Sequence, residues 1–154
     1  MGIDIHGWVE VSHLDPDRRA EEYAWSGIIS LSAVIDCCDE VSQLLFGFSK
    51  LAFTGDPLPY VPIAANRGIP LNPSSDVQQE LKNIQDHERN FGSGEFLGYT
   101  YIDATEIDSI DWRSYGIANL ESSDWWLLLR MIRLLRSDHR FTDAGIRIVC
   151  WVCW

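Results

Sequence analysis

Residues 123–137, SDWWLLLRMIRLLRS, constrain the fold of this chain more than any other stretch. Trp125, Leu127, Leu128, Met131, Ile132, Leu134 and Leu135 recur at helical spacing over about half of a helical circumference. Ser122 or Ser123 supplies an N-terminal cap and Asp124 an acidic first turn, so the stretch predicts an α-helix whose broad apolar arc forms the backbone of the core. The remaining arc holds Arg130, Arg133, Arg136 and Arg140 beside Trp126 and Leu129. Cations toward a helix C-terminus are electrostatically favourable, so a solvated face accounts for them without an anion.

Such a helix needs a surface to cover. Residues 3–11, IDIHGWVEV, alternate: Ile3, Ile5, Val9 and Val11 fall on one side and Asp4, His6, Trp8 and Glu10 on the other, the pattern of a half-buried strand. Residues 22–31 predict a second strand and hence a hairpin with the first, while 97–103 and 145–153 predict two more. Val41, Leu44, Leu45 and Phe48 predict a helix from Asp39 to Lys50. Ser75 and Gln78 fit a capping box for another over 76–85, with Val77, Leu81 and Ile84 on one side. Five of the six prolines lie within 51–96, a long Pro-rich loop region that Phe53, Tyr60, Val61 and Ile63 suggest is packed and functional. The expectation is a single α+β domain over 1–154, with a small, mostly antiparallel sheet and helices packed on one face.

With 154 residues, 46% of them hydrophobic, the chain has apolar material enough for one core without disulfides or a structural metal. A net charge of −11 excludes a broad nucleic-acid surface, which needs a basic face. The acidity is uneven, however: residues 121–154 carry four acidic and five basic side chains, which leaves room for a local anionic ligand. No run of apolar residues is long enough to span a membrane and the first residues lack a signal peptide's features, so a cytoplasmic protein is expected. Cys37, Cys38, Cys150 and Cys153 are then free thiols. Cys150 and Cys153 sit in a predicted strand, where residues three apart face opposite ways, so they read as structural thiols and not as a metal or redox pair; no metal or cofactor is expected.

Five residues are candidates for ligand binding. Asp4, His6 and Trp8 share one face of the first strand, where a carboxylate can orient an imidazole, although a surface ion pair explains Asp4 and His6 equally well. Arg67, next to Gly68 in AANRGIP, can present its guanidinium fork to a carboxylate or phosphate or tie its own loop to a carbonyl. His87, with Arg89 nearby in DHERN, lies near the end of the irregular region and can close over the same face. The acidic patch Asp103, Glu106, Asp108 and Asp111 is a candidate protein interface, and Trp112, Trp151 and Trp154 are candidates for an exposed aromatic surface. Phosphate-binding, nucleophile-elbow and zinc-protease signatures are absent from the sequence.

The opening G-x-D-I-H at Gly2 to His6 resembles a family of small phage, prophage and bacterial proteins of uncharacterised function that commonly open M-G-C-D-I-H; Ile3 stands here in place of Cys. The resemblance extends to L-F-G at Leu45 to Gly47, N-R-G-I-P at Asn66 to Pro70 and I-R-I-V from Ile146. Members often carry H-S-H-x-W late in the long loop, whereas this chain has only His87, with Tyr99 or Tyr101 near the position of the aromatic, a departure that weakens any multi-histidine metal site. The resemblance implies common descent and supplies no activity.

Three functions follow as expectations. The first is a non-enzymatic binding protein that captures a small anionic, nucleotide-like ligand and, by analogy with phage-associated proteins, interferes with host defence signalling. The second is an acidic inhibitor or immunity protein that masks a basic protein partner. The third is a small hydrolase using Asp4 and His6, which lacks an accompanying nucleophile or metal set. Monomer and homo-oligomer are both compatible with the sequence.

Overall fold

Alternation at the two ends of the chain builds the centre of the sheet. In the computed structural model, which describes residues 3–13, 17–49, 57–138 and 140–154, β1 (Asp4–Val11) and β4 (Ile146–Cys153) pair antiparallel from Asp4 opposite Cys153 to Val11 opposite Ile146. β2 (Ser26–Ser30) completes the expected hairpin on β1, and β3 (Phe96–Asp103) flanks β4, giving the order β2-β1-β4-β3 with every pairing antiparallel. Gly7 is required at the middle of β1: a Cβ there would lie 2.0 Å from the Val149 carbonyl oxygen, and the backbone has φ 134°.

Among the described residues, four α-helices complete the single α+β domain: α1 (Glu40–Phe46), α2 (Ser75–Phe91), α3 (Ala104–Asp108) and α4 (Asp124–Arg136). Their boundaries follow local chemistry. The Asp39 carboxylate accepts the Val41 and Ser42 N–H groups at the start of α1, and Gly47, at φ 76°, ends it in the left-handed region. Ser74 and not Ser75 caps α2. α2 also runs six residues beyond the expected end and so carries His87 and Arg89 on a helix; the segment lacks apolar periodicity, but Gln85, Glu88 and Arg89 favour helix until Gly92 stops it. Among described residues, no helix is long and apolar enough to cross a membrane.

The helices divide between the two faces of the sheet instead of sharing one. α1, α3 and α4 cover the side of Ile5, Val9, Ile148 and Val152, whereas α2 covers the side of Glu10, Arg147, Val149 and Trp151. The cause lies in β4, IRIVCWVC, whose side chains are buried on both faces; such a run is the mark of a central strand covered twice.

α4 turns a narrower stripe to the core than its composition suggests. Trp125, Leu128, Leu129 and Ile132 are buried, while Leu127 and Leu134 are 55% and 73% exposed. Leu129 therefore belongs to the core and not to the polar arc, because the contact with the sheet spans a stripe narrower than the helix's apolar half. In the proline-rich segment, Tyr60 and Ile63 pack against the core and Val61 is 86% exposed, so the packing expected there holds only in part. Lys50 and Phe53 lie outside the described residues.

Candidate functional site

The strand face carrying Asp4, His6, Trp8 and Glu10 is largely occupied from within. Glu10 is fully buried and accepts Arg147 Nε at 2.6 Å through one oxygen and the Ser74 N–H at 2.6 Å through the other. Arg147 reaches the Leu71 and Asn72 carbonyls, each at 3.2 Å, and its guanidinium lies 3.7 Å from the centre of the Trp25 ring. Burial pulls the Arg147 pKa down against the Glu10 charge. This network joins the chain entering α2 to the centre of the sheet, and its register was concealed in the sequence because Glu10 and Arg147 lie at opposite ends of the chain.

The five proposed ligand residues are partly brought together. The Trp8 indole N–H donates to Glu80 of α2 at 2.7 Å. Both His6 and His87 meet Phe96 edge-on, with centroids 6.3 and 5.8 Å from its ring, and His87 Nε2 lies 2.8 Å from a Glu95 oxygen. Asp4 is exposed at the start of β1, and among described residues no carboxylate hydrogen-bonds His6. Arg67 stands apart: its two terminal nitrogens form a fork on Glu106 at 2.9 and 2.7 Å and also reach the Tyr101 and Ile63 carbonyls. The pairing raises the Arg67 pKa and lowers that of Glu106. Arg67 thus ties the loop to β3 and α3.

The acidic patch is spent in the same way. The Asp103 side chain caps α3 by accepting the Glu106 N–H, Glu106 holds Arg67, and Asp108 pairs with Arg136 at 2.8 Å. Asp111 accepts the Ser114 hydroxyl through its carbonyl and leaves its carboxylate at the surface. Asp143 holds Arg136 from the other side, and Asp138 holds Arg140.

All four cysteines are free thiols. Cys150 is buried in the core and Cys153 lies on the opposite face, as strand alternation requires. Burial pushes the Cys38 thiol up to about 11 and that of Cys150 well above the ordinary value, so neither is a thiolate at neutral pH. Among described residues, no three His, Cys, Asp or Glu side chains gather closely enough to hold a metal ion.

Of the three tryptophans expected at the surface, Trp151 is fully buried, because it faces α2 from the doubly covered strand. Trp154 is 41% exposed. Trp112 lines a cleft of about 520 Å³ bounded by the turn after α3 and the first turn of α4, with Arg113, Asn119, Leu120 and Trp126 also on its wall. The Arg133 guanidinium lies 5.7 Å from the centre of the Trp126 ring, and Arg133 also lines a hollow of about 80 Å³ that shares Ile110 and Trp112 with the cleft. Neither Arg113 nor Arg133 has a carboxylate partner among described residues. Asp111 and Glu121 stand on the same wall, so the cleft is mixed in charge. The sequence signal was present as Trp112 and the arginine stripe, but nothing in the spacing joined them.

Compared with known proteins, the chain matches no family model, no curated protein and no solved structure.

Proposed function

We propose that the chain is a non-enzymatic binding protein that takes a small, flat, anionic ligand of nucleotide type in the Trp112–Trp126 cleft. The observation that carries this reading is the pairing of two indoles with two arginines, Arg113 and Arg133, that no carboxylate among the described residues claims, in and beside a cleft of about 520 Å³. That volume suits a nucleotide-sized molecule, indole faces stack on flat rings, and a guanidinium fork matches a phosphate. Arg67 is no longer the preferred anion-binding group, because Glu106 occupies its fork.

The hydrolase alternative lacks support, since His6 meets the edge of Phe96 and not a carboxylate. The acidic-inhibitor alternative loses three of its four side chains to internal partners. A cytoplasmic setting is part of the reading, supported by four free thiols. Interference with host defence signalling rests on the resemblance to phage proteins alone.

Titration with adenosine and guanosine monophosphates, followed by calorimetry and by quenching of tryptophan fluorescence, tests the assignment. Saturable binding is expected, weakened at least about tenfold by Trp112→Ala and by Arg113→Ala and unchanged by Asp4→Ala. Absence of binding to either nucleotide, or binding indifferent to Trp112→Ala, rejects it.

A further inference from the structure

The most outward line of α4 is apolar at two of its three positions. At about 100° per residue, Arg130, Leu134 and Leu127 fall within an arc of about 60° that points directly away from the buried Trp125, Leu128, Leu129 and Ile132. Leu127 and Leu134 are 55% and 73% exposed, and half-buried Met131 extends the apolar strip beside them. A surface helix ordinarily turns polar side chains this way, so two leucines seven residues apart at its crest form an unpartnered seam.

Charge distinguishes between occupants. Arg136 is held by Asp108 and Asp143, and Arg140 by Asp138, but Arg130, midway between the two leucines, has no carboxylate partner among described residues. A second copy of the chain fits badly: a two-fold axis that sets one leucine pair against the other also sets Arg130 against its own copy, and no acidic side chain of the seam relieves the repulsion. The complementary surface has apolar residues seven apart with a carboxylate between them.

We propose that the outward face of α4, Leu127 and Leu134 with Arg130 between them, docks an acidic amphipathic helix of another protein. The leucines enter the partner's apolar stripe at i and i+7, and Arg130 fixes register and sign through a carboxylate between those positions. Leu127, Arg130 and Leu134 line neither the cleft nor the adjoining hollow, so ligand capture and protein docking use different side chains of one molecule.

Two synthetic amphipathic helices of about three heptads, identical in their leucines but carrying Glu in one and Lys in the other at the position between them, serve as probes with the full chain. Binding is read by fluorescence anisotropy and located by amide chemical shifts. The Glu peptide is expected to bind, shifting amides of α4. Its affinity should fall at least about tenfold in Leu134→Ser, and Arg130→Glu should reverse the preference in favour of the Lys peptide. Both replaced residues are exposed, so thermal unfolding should be unchanged and loss of binding cannot be mistaken for loss of fold. Trp112→Ala should leave peptide binding intact, which separates this proposal from the ligand reading. Failure of the Glu peptide to bind, equal binding of the two peptides, or shifts away from α4 overturns it. So does sedimentation equilibrium showing a dimer that Leu134→Ser dissociates, since the occupant would then be a second copy.

Discussion

On the face of the sheet covered by α1, α3 and α4, the two central strands contribute Ile5, Val9, Val11, Ile146, Ile148, Cys150 and Val152, while on the face covered by α2 they contribute Trp8, Glu10, Arg147, Val149 and Trp151. The first contact is apolar and non-directional; it seals by area. The second is held at named atoms: Arg147 Nε and the Ser74 N–H on the two oxygens of Glu10, and the Trp8 indole on Glu80. Of the residues of α2, only Val77 and Ile84 are buried. The helix that covers less apolar surface is thus the one positioned by polar contacts. A buried pair of this kind specifies where the proline-rich chain must enter α2, since Arg147 also bonds the Leu71 and Asn72 carbonyls just before it.

The largest effect is expected at that pair. Arg147→Met leaves the Glu10 carboxylate buried without its cation, which should lower stability by about 3–5 kcal/mol in urea unfolding. A loss below about 1 kcal/mol would mean that the α2 face is sealed by apolar contact like the other, and the contrast between the faces would fail. On the apolar face, Leu128→Ala should cost about 2–5 kcal/mol, whereas Leu127→Ala, one residue away on α4, should change stability by no more than about 0.5 kcal/mol. Similar losses at the two positions would return Leu127 to the core.

That neighbouring pair also explains how much the sequence could reveal. Alternation in IDIHGWVEV, the apolar spacing after Asp39 and the serine cap at Ser123 are local properties, and they predict β1, α1 and α4, although α1 ends at Phe46, short of the expected Lys50, because Gly47 turns left-handed. Which leucines of α4 face inward depends on how much of the helix the sheet can cover, a tertiary quantity that composition overstates. The partner of Glu10 was unreadable for a related reason: a carboxylate on the polar side of a strand looks solvated until a cation 137 residues away is placed opposite it. The run IRIVCWVC carries apolar side chains on both faces of a strand, yet in the sequence it reads as one strand among several with helices on one face only; that α2 forms a second cover depends on where the chain before it docks, a tertiary property. Within the candidate site, Trp112 was legible as a residue and the cleft was not, because its wall joins the turn after α3 to the first turn of α4.

A smaller effect separates the two ends of the α2 contact. Glu80→Ala removes the acceptor of the Trp8 indole and should lower stability by about 1–2 kcal/mol, with a change in tryptophan emission. His87→Ala, at the other end, removes a contact with Glu95 in which both side chains are substantially exposed, and should cost less than about 1 kcal/mol. Hydrogen exchange should then be faster in 85–91 than in 76–82, because the anchors Ser74, Val77 and Glu80 lie toward the start of the helix and its last buried residue is Ile84. Equal protection along α2 would show that the face is held along its whole length.

The smallest effect concerns the peripheral ion pairs and has a defined pH sign. The Arg67 fork holds the Glu106 carboxyl below its ordinary value near 4.5, and Arg136 holds Asp143 below 3.8. A carboxylate whose pKa is lower in the folded than in the unfolded chain contributes stability that is present above the ordinary value and lost as pH falls through the folded one. At pH 7, Glu106→Gln should therefore be less stable than the parent by no more than about 1 kcal/mol, because the pair is partly exposed. The two proteins should converge as acidification below 4.5 protonates Glu106 in the parent, removing the charge that distinguishes it from Gln. The Arg147→Met deficit should persist in that interval, since the buried network also loses its hydrogen bonds to the Leu71 and Asn72 carbonyls, neither of which titrates. Convergence at Glu106 without convergence at Arg147 would separate a surface tie from the buried clamp; parallel behaviour at both sites would place them in the same solvent-screened class.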